Sequence, residues 1–288
     1  MIYDCFTFFN EFDLLKMRLK LVAPHTDRIV IVEADTGFNG KPKDFNFFTR
    51  REEFREWEEK IIYVKVEDTP SNAPNEWFRE TYQRNAIERA LLLASPDDII
   101  FISDVDEIPN IPIVLNGMTN SDVYSLEYGL YYYYLNLRST RNWSKAKVIR
   151  RRAMCASPNE IRNMPGIPTI KSCGWHFSYL MNPEMISEKI TSFSHQEYNT
   201  EEINNIDAIK NAMKNGVDLF GRRDQIFLPE PLDPCIKQSI TKELEKYILP
   251  DTKGSLVNNF KSIFRREKAK IHRDGRRKYI KNLLGYFS

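Results

Sequence analysis

Asp104-Val105-Asp106 follows directly on the apolar run Ile99-Ile100-Phe101-Ile102-Ser103, and Glu107 adds a third carboxylate. Acids at the exit of a strand stand where open α/β sheets bind ligands. Side chains alternate along an extended segment, which turns Asp104 and Asp106 to one side. There, two hard oxygen donors share a divalent cation with the phosphates of a nucleotide. The spacing points to a metal–diphosphate site; the competing reading is a solvated strand end with a turn ahead of Pro109.

The elements that must position these acids are legible from periodicity. Ile2 to Phe9 is apolar and aromatic enough for a strand, and Asn10-Glu11-Phe12-Asp13 opens a helix that runs to Val22, with Leu14, Leu15, Leu19 and Val22 at helical spacing and Pro24 as the stop. Arg28 to Glu33 reads as a buried second strand, arriving after a helix as a parallel crossover requires. A mixed stretch from Thr49 to Lys60 is expected to be helical, Ile61 to Val66 a third strand, and Asn75 to Ala94 a helix that Ser95-Pro96 ends before the Asp104 strand. Beyond Pro112, Val123 to Leu137 is tyrosine-rich and β-like. Its run Tyr131 to Tyr134 is either a stacking platform for sugar rings or core, and packing is the commoner fate of bulky aromatic strands. Trp175 to Tyr179 is another β-like run, Pro183 to Ser192 starts a helix, and Asn204 to Lys214 is a helix ending at Asn215-Gly216.

Composition sets the frame around these elements. An apolar content of 42% over 288 residues is ample for a buried α/β core. Cys5, Cys155, Cys173 and Cys235 include no C-x-x-C pair, which argues against a zinc site or a dense disulfide framework. No apolar run reaches the about 18 residues that span a bilayer, and no signal-like segment precedes the first strand, so a cytoplasmic location is expected. The net charge of +2 hides an asymmetry: 251–288 carries +8 and the preceding residues −6. Such a body is a poor nucleic-acid binder. The tail, with Val257, Phe260, Ile263, Phe264 and Ile271 among its basic clusters, reads as amphipathic helix. It either lies on an anionic membrane surface as a peripheral contact or packs on the body.

Six blocks in order carry a resemblance: Asn10-Glu11-Phe12-Asp13-Leu14-Leu15, Ile31-Val32-Glu33, Gly40-Lys41-Pro42-Lys43, Gln83-Arg84-Asn85-Ala86, Ser103-Asp104-Val105-Asp106-Glu107-Ile108-Pro109 and Gly174-Trp175-His176-Phe177-Ser178. Together, over roughly Ile2 to Pro234, the chain resembles glycosyltransferase family 17, whose best-known members add the bisecting GlcNAc to N-glycans. The resemblance implies an α/β fold of GT-A type, with a mostly parallel, Rossmann-like sheet flanked by helices. A catalytic domain over 1–250 is expected, with a nucleotide-binding half (1–112) and an acceptor half (113–250), and the basic helical tail (251–288) lies outside it. The implied reaction is inverting transfer of GlcNAc from UDP-GlcNAc to a glycan or lipid-linked glycan hydroxyl. Asp104, Asp106 and His176 would hold Mn²⁺ or Mg²⁺, Glu33 would meet the uracil or ribose, and Arg84 would contact donor phosphate or pair with Asp104.

The reaction also needs a carboxylate to receive the acceptor's proton. Asp218 and Glu197 lead the candidates, with Glu160 and Glu127 behind them, and for each a structural role competes. The animal members carry a membrane anchor; an enzyme of bacterial or viral origin working from the cytosolic side fits this chain better. Two other functions compete, a metal-dependent nucleotide-sugar hydrolase using the same acids and a non-catalytic glycan-binding protein.

Overall fold

In the computed structural model, which describes residues 1–222 and 225–249, twelve strands and eight α-helices alternate. The strands are β1 (Ile2–Thr7), β2 (Arg28–Ala34), β3 (Ile61–Val66), β4 (Ile99–Asp104), β5 (Glu107–Pro109), β6 (Val123–Leu126), β7 (Tyr128–Tyr132), β8 (Leu137–Trp143), β9 (Lys147–Arg150), β10 (Thr169–Ile170), β11 (Gly174–Ser178) and β12 (Phe227–Pro229). The helices are α1 (Phe12–Val22), α2 (Asn46–Thr49), α3 (Glu76–Asn85), α4 (Ile111–Gly117), α5 (Pro158–Asn163), α6 (Pro183–Ser192), α7 (Ile206–Asn215) and α8 (Pro234–Ser239).

A seven-stranded sheet has the order β10-β6-β9-β4-β1-β2-β3, and β3, β2, β1 and β4 run parallel. β9 is antiparallel to both of its neighbours, β4 and β6. Alternation along the parallel strands feeds two cores. Phe6, Ile29, Ile31 and Phe101 pack with Leu15 and Leu19 of α1 on one face, while Cys5, Val30, Val32, Ile100 and Ile102 face Ile87 and Ile161 on the other. Helices therefore cover both faces, as a sheet buried on both sides requires.

A second, five-stranded sheet has the order β12-β8-β7-β11-β5. The chain crosses between the sheets at the acidic motif: Asp104 ends β4, Val105-Asp106 turns, and Glu107 opens β5. β5 pairs antiparallel with β11, setting His176 opposite Glu107. Residue 112 is no boundary between the sheets, since β6, β9 and β10 return to the first and β5 has already left it.

The expected strands and the helices α1, α6 and α7 form close to their expected bounds, and Gly216 ends α7 with a φ of 58°. Two helical expectations differ. Thr49 to Lys60 is mostly a tight 3₁₀ stretch, Arg51–Trp57. The Asn75–Ala94 helix narrows to 3₁₀ winding over Ala86–Ala90 and ends there, and beyond it Leu91 is buried while Leu93 is 91% exposed. The four cysteines are free thiols. Among the described residues no helix is long and apolar enough to cross a membrane. The basic tail lies outside the described residues.

Candidate active site

In the sheet order, β1 sits between β2 and β4, so its two neighbours follow it in opposite directions and a crevice opens at the carboxyl ends of β1 and β4. Thr7 and Asp104 are partners in that last register position. A cleft of about 730 Å³ opens above them, lined by Thr7, Asp104, Asp106, His176 and Lys189 among others. That volume falls within the range that encloses small ligands.

The acidic turn is fixed from beneath. Arg18 projects from α1 into the core, fully buried, and forms a two-pronged ion pair with Asp4 at 2.6 and 2.9 Å. Its Nη1 donates to the carbonyls of Asp104, Val105 and Glu107 at 2.9, 3.1 and 2.9 Å. Glu107 holds the turn from within, accepting from the Asp104 amide at 2.8 Å, from both Nη atoms of Arg162 and from the Trp143 indole. Three carbonyls and an amide thus define where Asp104 and Asp106 stand.

The two aspartates meet different partners. Asp104 accepts from Arg84 Nη2 at 3.0 Å on one oxygen and from Arg162 Nη2 at 2.6 Å on the other. Burial works against its charge, but Arg162 and Arg84 outweigh it and lower the pKa. Asp106 faces Lys189 Nζ at 3.4 Å and His176 Nε2 at 3.5 Å. Here too burial is overcome, by Lys189 and then His176, and the carboxyl is held well below the usual carboxylate range. Lys189 is anchored in turn by Glu11 at 3.2 Å. The His176 ring lies 4.5 Å from that of Trp143, its Nε2 is 3.2 Å from Ser178 Oγ, and its Nδ1 is buried without a partner.

A divalent cation fits part of the expected ligand set. Adjacent ligands of an octahedral ion, each about 2.1 Å away, stand about 3 Å apart, close to the 3.5 Å between Asp106 Oδ1 and His176 Nε2. Asp104 is the less available ligand in this arrangement, because each of its oxygens already accepts a guanidinium hydrogen bond and the two arginines compete with a cation for its charge. Among the described residues no group of three or more His, Cys, Asp and Glu is arranged to hold a metal. Asp106 and His176 would therefore leave the remaining positions to diphosphate and water, as Mg²⁺ sites commonly do.

The other expected site residues go elsewhere. Glu33 is fully buried, and Lys43 Nζ, the amides of Asn46 and Phe47 and the Tyr63 hydroxyl saturate it. It anchors the start of α2 and does not line the cleft. Asp218 is locked onto Arg222, with contacts down to 2.6 Å. Glu197 is 58% exposed and pairs with His195 at 2.7 Å. Glu160 closes a capping box with Ser157 at the start of α5, and Glu127 contributes main-chain bonds beside Cys173. None of these four carboxylates is in the cleft wall; Glu11 and Glu80 are.

Arg84 lines the cleft on the last turn of α3, whose start Asn75 caps, and pairs there with Asp104. Arg162, Lys189 and Glu80 were not legible as site residues. Ser157-x-x-Glu160 signals the helix that carries Arg162, but nothing local names its target. Of the four tyrosines, Tyr131, Tyr132 and Tyr133 are core, 6%, 4% and 0% exposed.

With this geometry in place, the comparison with known families is decisive. The model of glycosyltransferase family 17 matches residues 1–232. The chain belongs to glycosyltransferase family 17. Among similar proteins, the β-1,4-mannosyl-glycoprotein 4-β-N-acetylglucosaminyltransferases of rat (Rattus norvegicus) and human (Homo sapiens) are each 23% identical over 277 residues, 82% of this chain and 51% of theirs. The chain thus spans about half the length of the curated relatives it matches. Among solved structures, a 2-C-methyl-D-erythritol 4-phosphate cytidylyltransferase of Francisella tularensis is similar over 67% of this chain and 98% of its own, at 11% identity and a TM-score of 0.34.

Proposed function

We propose that this family 17 chain is an inverting, metal-dependent glycosyltransferase of GT-A type that moves GlcNAc from UDP-GlcNAc to a hydroxyl of a glycan. The observation that carries the reading is the Asp106–His176 pair, held beside Lys189 at the carboxyl ends of β1 and β4 in a cleft of ligand size. The relatives' names make a β-mannosyl glycan the first acceptor to try.

Asp106 and His176 would hold Mn²⁺ or Mg²⁺, which when bound supplies positive charge to the diphosphate. Lys189 adds a fixed cation at the same place, and Arg84 and Arg162 surround Asp104 so that the strand end carries no unpaired negative charge against the donor. In the reaction the acceptor oxygen bonds to the anomeric carbon, the bond from that carbon to the UDP oxygen breaks, and the acceptor's proton passes to a carboxylate. Glu80 is assigned that last role. Its side chain is 20% exposed in the cleft between Arg84 and Ser194, whereas Glu11 is 7% exposed and committed to Lys189 and two main-chain amides.

The test measures UDP release from UDP-GlcNAc with and without β-mannosyl acceptor. Asp106→Asn is expected to abolish transfer and metal-dependent UDP binding in a protein that stays folded but melts somewhat lower, since the variant loses the pairing with Lys189 and His176. Glu80→Gln keeps UDP binding and loses about 10²–10⁴-fold in kcat. Full turnover by Asp106→Asn, or UDP release that ignores the acceptor, refutes the reading.

A further inference from the structure

The cleft has two aromatic walls. One follows the first sheet, where Phe8 and Phe9 leave β1 and Phe38 leaves β2. A nucleotide lying across the carboxyl ends of β1 and β4 takes this wall. The other wall comes from the segment between β11 and β12: Tyr198, Phe220 and Arg222. No step of the transfer described above uses it.

This second wall is built, not incidental. The Tyr198 and Phe220 rings pack 4.4 Å apart, and Phe220 lies 5.7 Å from Tyr179, which follows β11. The Arg222 guanidinium sits 5.0 Å from the Phe220 ring. Arg222 is fixed at both ends: Asp218, 3% exposed, accepts from its main-chain amide, its Nε and its Nη2, and Tyr132 accepts from Nη2 at 2.6 Å. A buried carboxylate and a buried tyrosine thus hold an arginine that is one-third exposed beside partly exposed aromatic rings. Rings that face a cleft with a rigid polar donor alongside match ligands with one C–H face and a rim of hydroxyls, because the electron-rich ring face attracts polarised C–H groups.

We propose that Tyr198, Phe220 and Arg222 form the acceptor subsite, that its occupant is a pyranoside lying on the Phe220–Tyr198 pair with a hydroxyl accepting from Arg222, and that Asp218 is the residue positioning Arg222. The proposal rests on the transferase reading. Asp218 then acts through Arg222 and takes no proton.

The experiment reads two ligands on the same full-length protein. Saturation-transfer NMR follows the methyl β-pyranosides of mannose, GlcNAc, galactose and glucose with UDP and Mg²⁺ present, and calorimetry follows UDP itself. At least one pyranoside is expected to bind wild type. Phe220→Ala and Asp218→Asn each weaken it about tenfold, while Phe220→Tyr and UDP affinity stay near wild type. In turnover, Asp218→Asn raises the acceptor KM and leaves kcat within a few-fold, a split that neither a general base nor a merely structural residue gives. Arg222→Lys, which keeps the charge but loses the fork, gives the same KM effect and covers the case in which Asp218→Asn fails to fold.

The proposal is overturned if no pyranoside binds wild type, if the variants bind it unchanged, or if they weaken UDP in its place, which would give this wall to the nucleotide. Failure of wild type to bind UDP at all would instead count against the transferase reading and shows separately.

Discussion

Arg18 does two things that a single substitution separates. Arg18→Met leaves Asp4 as a buried charge without a partner, expected to cost about 3–5 kcal/mol in a denaturant titration. It also strips the donor from the carbonyls of Asp104, Val105 and Glu107. Pairing it with Asp4→Asn removes the stranded charge, so the double variant is expected to regain stability but not transfer. Recovery of both would show that the turn needs no such donor. The same logic distinguishes the two aspartates: Asp104 belongs to an arginine network that extends into the body, whereas Asp106 pairs with a histidine and a lysine at the cleft wall.

At the scale of elements, the site depends on β5 and β11 lying close enough to bring His176 to Asp106. Gly174 permits that approach. A Cβ there would meet the carbonyl oxygen of Ile108 on β5 and lie 2.6 Å from the Tyr128 ring. Neither neighbour gives way readily, one being backbone and the other a fully buried ring. Gly174→Ala is expected to cost about 1–3 kcal/mol through overpacking, lower the melting temperature and weaken metal-dependent UDP binding by moving β11. A variant with wild-type melting and UDP affinity would show that the strands have slack. Gly166, by contrast, has open space where a Cβ would go. The demand at 174 therefore arises from strand pairing.

For the whole molecule, Met1–Leu249 forms one compact unit, and by sequence 251–288 carries +8 against −6 in the preceding residues. Removing 250–288 is expected to leave UDP affinity near that of the full chain and to abolish binding to vesicles rich in anionic lipid, a sedimentation signal that salt should also weaken. Vesicle binding that survives the truncation would place the membrane contact on the body. The chain's own order of residues determined the α/β class, the four parallel strands, α1, and the strand-end acids, because apolar periodicity and turn residues act over neighbours within a few positions. It also carried the family, in six short blocks. The partners of those acids were decided only in three dimensions. Arg162 reaches Asp104 across 58 positions and Lys189 reaches Asp106 across 83. No local pattern encodes such pairs, nor that Glu33 and Asp218, plausible by type and place, would turn inward to hold a helix start and an arginine. Charge pairing at that range depends on which strands become neighbours, and only the packed sheets set that.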